Sequence, residues 1–216
     1  MTHAPEEAGL AALSPDTPGP PAASLAQLRR AEADCTRCPL YRDATQVVPG
    51  EGRRAAPLML VGEQPGDSED RAGRPFVGPA GRLMDRALAA AGIVREDAFV
   101  TNAVKHFKFE PRGKRRLHKK PNAYEIDRCR WWLEQELVLV RPRVIVALGA
   151  TAARSLTGRP VTISAARGRV TALHGAAFVV TVHPSALLRL REPADREAEF
   201  ARFVADLEQA RAAAAG

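Results

Sequence analysis

At 216 residues, with a formal net charge of +7 and a pI near 9.9, the chain can bury one real core and carries an excess of positive charge suited to a polyanionic partner such as nucleic acid. No apolar run approaches the roughly 20 residues that span a bilayer, and the start Met1-Thr2-His3-Ala4-Pro5-Glu6-Glu7 lacks the basic and apolar parts of a secretory signal, so the chain reads as cytoplasmic with no membrane partner. Three cysteines, an odd number, argue against a disulfide framework and toward metal or redox chemistry.

Residues 1–23 are rich in Pro, Ala and Gly and hold too little apolar bulk to repay ordering; they read as a disordered tail ahead of a single domain over 24–216. Ser24 can cap a helix running to about Glu32, with Leu25 and Leu28 inward. That helix delivers Cys35-Thr36-Arg37-Cys38-Pro39, a spacing that can hold one metal centre or form a redox dithiol. A redox pair is expected to follow a strand and open a helix. This one follows a helix and is closed by Pro39, which favours metal.

Leu58-Met59-Leu60-Val61 is apolar throughout, the pattern of a strand buried on both faces, and Gly62-Glu63-Gln64-Pro65-Gly66 stops it abruptly. A carboxylate and an amide are left at the strand's carboxyl end, the edge where open α/β sheets bind ligands. An ordinary strand-to-loop corner with a solvated Glu63 has the same composition. Gly73-Arg74-Pro75-Phe76-Val77-Gly78-Pro79 is a turn-rich loop around one aromatic, whose ring can face a planar ligand. Leu83, Ala87, Leu88 and Ala91 then mark a helix from about Ala80 to Ala91, stopped by Gly92.

A second strand, Ala98 to Val104, ends among Asn102, Lys105 and His106. Residues 107–121 are long, basic and aperiodic, nearly half of them Lys or Arg, and read as a loop. Phe107 and Phe109 add stacking surfaces to its cations, the combination used on single-stranded nucleic acid. A helix from about Ala123 to Val140 carries Cys129 on its inner stripe, where cysteine is ordinarily a small core hydrophobe. Val144–Gly149 forms a third buried strand feeding a helix start at Ala150. A smaller basic turn, Ala165–Arg169, precedes strand-like Val170–Leu173. Ala177–Val182 is a strand ending in His183-Pro184-Ser185, and an amphipathic helix from Asp195 closes the domain. Four strands ending in small polar groups and interleaved with helices make an α/β sheet covered on both faces; Glu63, Gln64, Asn102, His183 and Ser185 meet at one edge.

The ordered spans Cys35-x-x-Cys38, Gly62–Gly66, Gly73–Gly81, Thr101-Asn102-Ala103-Val104-Lys105 and His183-Pro184-Ser185 resemble the iron–sulfur uracil-DNA glycosylases of family 4, from about residue 30 to the C-terminus. Two departures, His106 in place of the usual cysteine and the added Lys114-Arg115-Arg116-Leu117-His118, are marks of the UdgX group, which forms a covalent complex with uracil-containing DNA. The resemblance implies a three-layer αβα fold around a mainly parallel four-stranded sheet, and a monomer acting on uracil-containing DNA, single-stranded by preference. It also implies a structural [4Fe–4S] cluster on Cys35, Cys38, Cys129 and His106, with zinc in a Cys₃His site as the rival that the donor set leaves open.

Cleaving the bond between uracil N1 and the sugar develops negative charge on the base and positive charge at C1′. The resemblance places His183 at uracil O2, Asn102 on the base edge and Phe76 against the flipped ring, with Gly62, Asp67 and Ser185 as further substrate contacts. Catalysis falls to His118, Glu63, His183 and Gln64: His118 captures C1′ before water does, and Glu63 accepts its proton or orients it. Lys114, Arg115, Arg116, Lys119, Lys120 and Arg167 are the expected phosphate contacts. The competing readings are a conventional multiple-turnover family 4 enzyme, in which His118 only binds DNA, and a non-catalytic metal-containing nucleic-acid-binding module.

Overall fold

A computed structural model describes residues 21–215; of the tail expected over 1–23, residues 1–20 lie outside the described residues. The chain runs α1 (Leu25–Ala33), β1 (Leu58–Gly62), α2 (Asp67–Ala72), α3 (Pro79–Ala90), β2 (Ala98–Asn102), β3 (Phe109–Arg112) and β4 (Arg115–His118). It continues through α4 (Ala123–Val140), β5 (Val144–Leu148), α5 (Ala150–Thr157), α6 (Ile163–Ala166), β6 (Val170–Leu173), β7 (Ala176–Thr181), α7 (Pro184–Leu188) and α8 (Pro193–Ala215).

The central sheet has the order β2-β1-β5-β7-β6, parallel except for β6. Alternation along each strand sorts the core into two layers. Leu58, Leu60, Val144, Val146 and Leu148 pack with α3 and α8, while Met59, Val61, Ile145 and Ala147 pack with α4 and α5. From β1 the chain steps outward to β2, and from β5 it steps the other way to β7. The crevice beyond the carboxyl ends of β1 and β5 is therefore the switch point at which such sheets take ligands. Among the described residues no helix is long and apolar enough to cross a membrane.

Two expectations are corrected. The sheet has five strands, not four: β6 joins as an antiparallel edge, exposed along most of its length, and belongs to the sheet through backbone bonds rather than burial. His174 and Gly175, with φ of 51° and 76°, supply the left-handed pair that a two-residue hairpin turn demands. Residues 107–121 are not an aperiodic loop but contain the β3–β4 hairpin, turned at Gly113 with φ 58°. Pairing of Phe109 with His118 and of Pro111 with Arg116 puts these four on one face; Glu110, Arg112, Arg115 and Leu117 take the other. Charged residues on both faces hide the alternation from a hydrophobicity reading.

The long helix α4 is buried nearly all round instead of along one stripe. Leu133 and Val140 face the sheet's core, while Cys129, Trp131, Trp132 and Leu139 join a third apolar cluster with Leu28, Cys35, Cys38 and Leu40.

Candidate active site

The strand ends and the hairpin enclose a cleft of about 310 Å³, lined by Gln64, Asp67, Phe76, Asn102, His118, His183 and Ser185 among others. Residues from five separate stretches thus meet in one cleft; Glu63, expected at the same edge, is absent from its lining and faces His118 instead. Gly62 closes β1 where a methyl group would collide with Asn102 Oδ1 and the Phe76 ring, so it acts by letting those two come together. Phe76 adopts φ 56°, a left-handed conformation that costs a non-glycine residue about 1–3 kcal/mol unless its surroundings enforce it. The enforcement comes from Glu69, a buried carboxylate that accepts the N–H of Gly66 at 3.1 Å and of Gly78 at 2.7 Å, clamping the loop at both sides of Phe76. Sequence reasoning missed Glu69. A glutamate three residues into a helix that follows Gly66 was the available sign.

His183 caps α7. Its Nδ1 accepts the backbone N–H of Ser185 at 3.2 Å and lies 2.8 Å from Ser185 Oγ. A backbone N–H can only donate, so Nδ1 is bare and the neutral ring carries its proton on Nε2. Burial, with His118 nearby, pushes the pKa of His183 down to about 4, which keeps the ring neutral above that pH. The linkage has a sign: between about pH 6.5 and 4 the unfolded chain takes up a proton that the folded chain refuses, so this histidine weakens the fold as pH falls. Ser185, expected as a substrate contact, lines the cleft and also fixes the tautomer of His183.

His118 is 49% exposed, with Nε2 3.4 Å from Glu63 Oε1. The other oxygen of Glu63 accepts the hydroxyl of Thr151 at 2.5 Å. The hairpin that carries His118 is fastened twice. At its base the Gln64 amide donates to the carbonyls of Lys108 and Lys119 at 3.1 Å each, and accepts the Lys108 N–H at 3.1 Å. Further along, Arg116 bridges Asp67 at 2.5 Å and the fully buried Asp70 at 2.6 Å, with its guanidinium over Phe107 and Phe109.

Four of the expected site residues have structural partners in the fold. Gln64 and Asp67 hold the hairpin with the groups that were assigned to catalysis and substrate. Arg116, its side chain only 16% exposed, is a fastener rather than a free phosphate ligand. Arg167 lies outside the cleft lining and is tied to Glu199 at 2.5 Å and Asp206 at 2.7 Å, where Asp206 also takes the Thr181 hydroxyl. Lys114, Arg115, Lys119 and Lys120 stand exposed on and beside the hairpin.

Cys35, Cys38 and Cys129 are buried in one cluster. The Trp132 indole N–H donates to Cys35 Sγ at 3.1 Å, and the Lys105 backbone N–H to Cys129 Sγ at 3.2 Å. Burial raises the pKa of the Cys38 and Cys129 thiols and holds that of the His106 ring below the usual imidazole range. Three buried sulfurs, two of them receiving N–H bonds, suit the thiolate ligation of an iron–sulfur cluster, and His106 follows directly on Lys105, whose N–H reaches Cys129. Among the described residues no three His, Cys, Asp or Glu side chains gather tightly enough to share a single ion.

A base-sized cleft at the switch point of an α/β sheet, faced by an amide, an aromatic ring and a neutral imidazole donor beneath a cationic hairpin, defines a nucleobase-recognising enzyme. The profile of the uracil DNA glycosylase superfamily matches residues 49–208, and the chain belongs to that superfamily. A Type-4 uracil-DNA glycosylase of Thermotoga maritima is 41% identical over 180 residues, covering 82% of this chain and 88% of the relative. Another from Pyrobaculum aerophilum is 38% identical over 174 residues, covering 76% and 85%. A Type-5 uracil-DNA glycosylase of the same organism is 31% identical over 187 residues, covering 71% and 79%.

Proposed function

We propose that this uracil-DNA glycosylase excises uracil and then becomes joined to the DNA through His118. The observation that carries the reading is His118 itself, held on a doubly fastened hairpin with its ring between the cleft and the Glu63 carboxylate. In the first step uracil leaves with the electron pair of its bond to C1′, and the Nε2–H of His183 stabilises the charge growing on O2. Asn102 matches the donor and acceptor of uracil N3 and O4, and cytosine inverts that pattern. Phe76 covers the ring. In the second step the lone pair of one imidazole nitrogen bonds C1′, and the proton on the imidazole passes to Glu63 or to solvent. A neutral nitrogen-linked sugar is a poor leaving group, so the adduct persists. Single-stranded DNA is the preferred substrate in this reading, because a base already unpaired needs no opening of a duplex.

Incubation with a uracil oligonucleotide, proteolysis and mass measurement test it: the peptide containing His118 should carry the mass of an abasic nucleotide. Repeated release of free abasic product by the wild type would leave a conventional glycosylase.

His183→Ala is expected to slow single-turnover base release by about 10²–10³-fold, the usual loss on removing one preorganised donor. Arg116→Met should leave base release nearly intact and slow adduct formation by about 10²-fold, the effect of misplacing a reacting group by about an ångström. A quench-flow comparison of free uracil and adduct separates the two.

Cys35, Cys38, His106 and Cys129 are the proposed ligands of a [4Fe–4S] cluster, whose bonds tie the segment after α1 to β2 and α4 and supply no chemistry to the bond cleavage. Purified protein should be brown and hold about four iron and four sulfide per chain. One zinc per chain with no iron would replace that assignment.

A further inference from the structure

Glu63 and Thr151 are 88 positions apart in the chain and meet where β1 and β5 end side by side. Thr151 is the second residue of α5 and is 3% exposed. Its approach depends on Gly149, the residue before α5, whose φ of 92° turns the chain sharply while its N–H stays bonded to Thr181 O at 2.9 Å. A methyl group at Gly149 would press on His183 Cβ at 3.2 Å, so the same corner that aims Thr151 also lies against the base of the His183 side chain.

The hydroxyl of Thr151 splits the work of the Glu63 carboxylate. Oε2 is held by Thr151 at 2.5 Å, and Oε1 is left facing His118 Nε2 at 3.4 Å. A glutamate has three side-chain torsions, and ordering a side chain of that length costs conformational entropy. An anchor on one oxygen removes much of that freedom before DNA arrives. We propose that Thr151 is a positioning residue for the reaction: its hydroxyl orients Glu63 toward His118 and so decides how often imidazole, rather than water, captures C1′. The proposal rests on the reading of His118 and Glu63 given above, and it adds a residue from a helix that otherwise contributes nothing to the cleft.

Thr151→Val keeps the shape and removes the donor, whereas Thr151→Ser keeps the donor. Both variants and the wild type are mixed with excess single-stranded uracil oligonucleotide, and the adduct, the free abasic product, the affinity for an uncleavable oligonucleotide and the melting temperature are measured. Thr151→Val should form adduct at least tenfold more slowly and release a larger share of free abasic product, with affinity unchanged. Thr151→Ser should restore both rate and share. Adduct formation by Thr151→Val at the wild-type rate and share overturns the proposal, as does a loss that serine fails to restore. If the wild type forms no adduct, the underlying reading fails separately. Thr151 is then judged by base release alone, where a tenfold loss in the valine variant with recovery in serine supports an orienting role for Glu63 toward water, and no change refutes it. Should the valine variant melt well below the wild type, Thr151→Ala, read against Thr151→Ser in the same assays, decides the outcome.

Discussion

Replacing His118 by glycine is expected to abolish the heat-stable protein–DNA band and to turn the protein into a multiple-turnover glycosylase. Glycine removes the ring at the tip of β4 and leaves Asn102, Phe76 and His183 where they are, since none of them is held by His118. In the proposed mechanism base departure relies on those three groups, so the single-turnover release of uracil should fall by less than about tenfold, well short of the loss of a preorganised donor. Water then fills the space of the imidazole and takes C1′, giving a free abasic site. Denaturing electrophoresis reads the adduct, and quantified uracil against enzyme concentration reads turnover. A glycine variant that still migrates with DNA attached moves the nucleophile to another side chain. One that releases no uracil makes His118 part of the first step and not the second. Glu63→Gln separates the two oxygens' roles further: it keeps an acceptor for Thr151 but cannot take a proton, so adduct formation should slow more than base release.

The strands that carry this site are legible because burial on both faces leaves uninterrupted apolar runs, and the polar residues after them mark the ligand edge. That Asn102 and His183 share one edge was readable for that reason; the place of His118 came only from the family resemblance. What stayed hidden is which polar group bonds which. Gln64 looks catalytic from its position, yet its amide joins Lys108 and Lys119, the residues flanking the hairpin 44 and 55 positions away. Thr151 and Asp70 carry no local signature of the carboxylate and guanidinium they hold, because a hydrogen bond between residues far apart in the chain leaves no period in the sequence. Arg167 misled in the opposite direction. A basic turn suggests phosphate, but two acidic residues on α8 claim the guanidinium.

The largest effect on folding is expected at Lys105 and Glu136. Lys105 is fully buried, and its Nζ is 2.7 Å from Glu136 Oε2 and 2.5 Å from Thr101 Oγ1. Burial opposes its charge, but the Glu136 carboxylate outweighs it, joined by Glu32 once that acid ionises, and holds the amine protonated. Glu136 also accepts the N–H of Gly50 and the hydroxyl of Thr101. Glu136→Ala therefore strands a cation and should lower the unfolding free energy by about 3–5 kcal/mol in urea. Lys105→Met with Glu136→Met strands no charge and should recover part of that loss. A double variant no more stable than Glu136→Ala would mean that the pair's hydrogen bonds, not its charges, matter. The third acid, Glu32, completes the arrangement: neither of its oxygens has a hydrogen-bond partner among the described residues, and burial, opposed by Lys105 and aided by Glu136, pushes its pKa up to about 8. Between pH 4.5 and 8 the folded chain keeps a proton there that the unfolded chain gives up, so this carboxyl weakens the fold progressively as pH rises through that window. Glu32→Gln should match the wild type at pH 4.5 and exceed it at pH 8, the gap widening by up to about 1.4 kcal/mol per pH unit. If the gap is constant across the range, the buried site holds a carboxylate at all these pH values, and the single positive charge of Lys105 is balancing two acids instead of one.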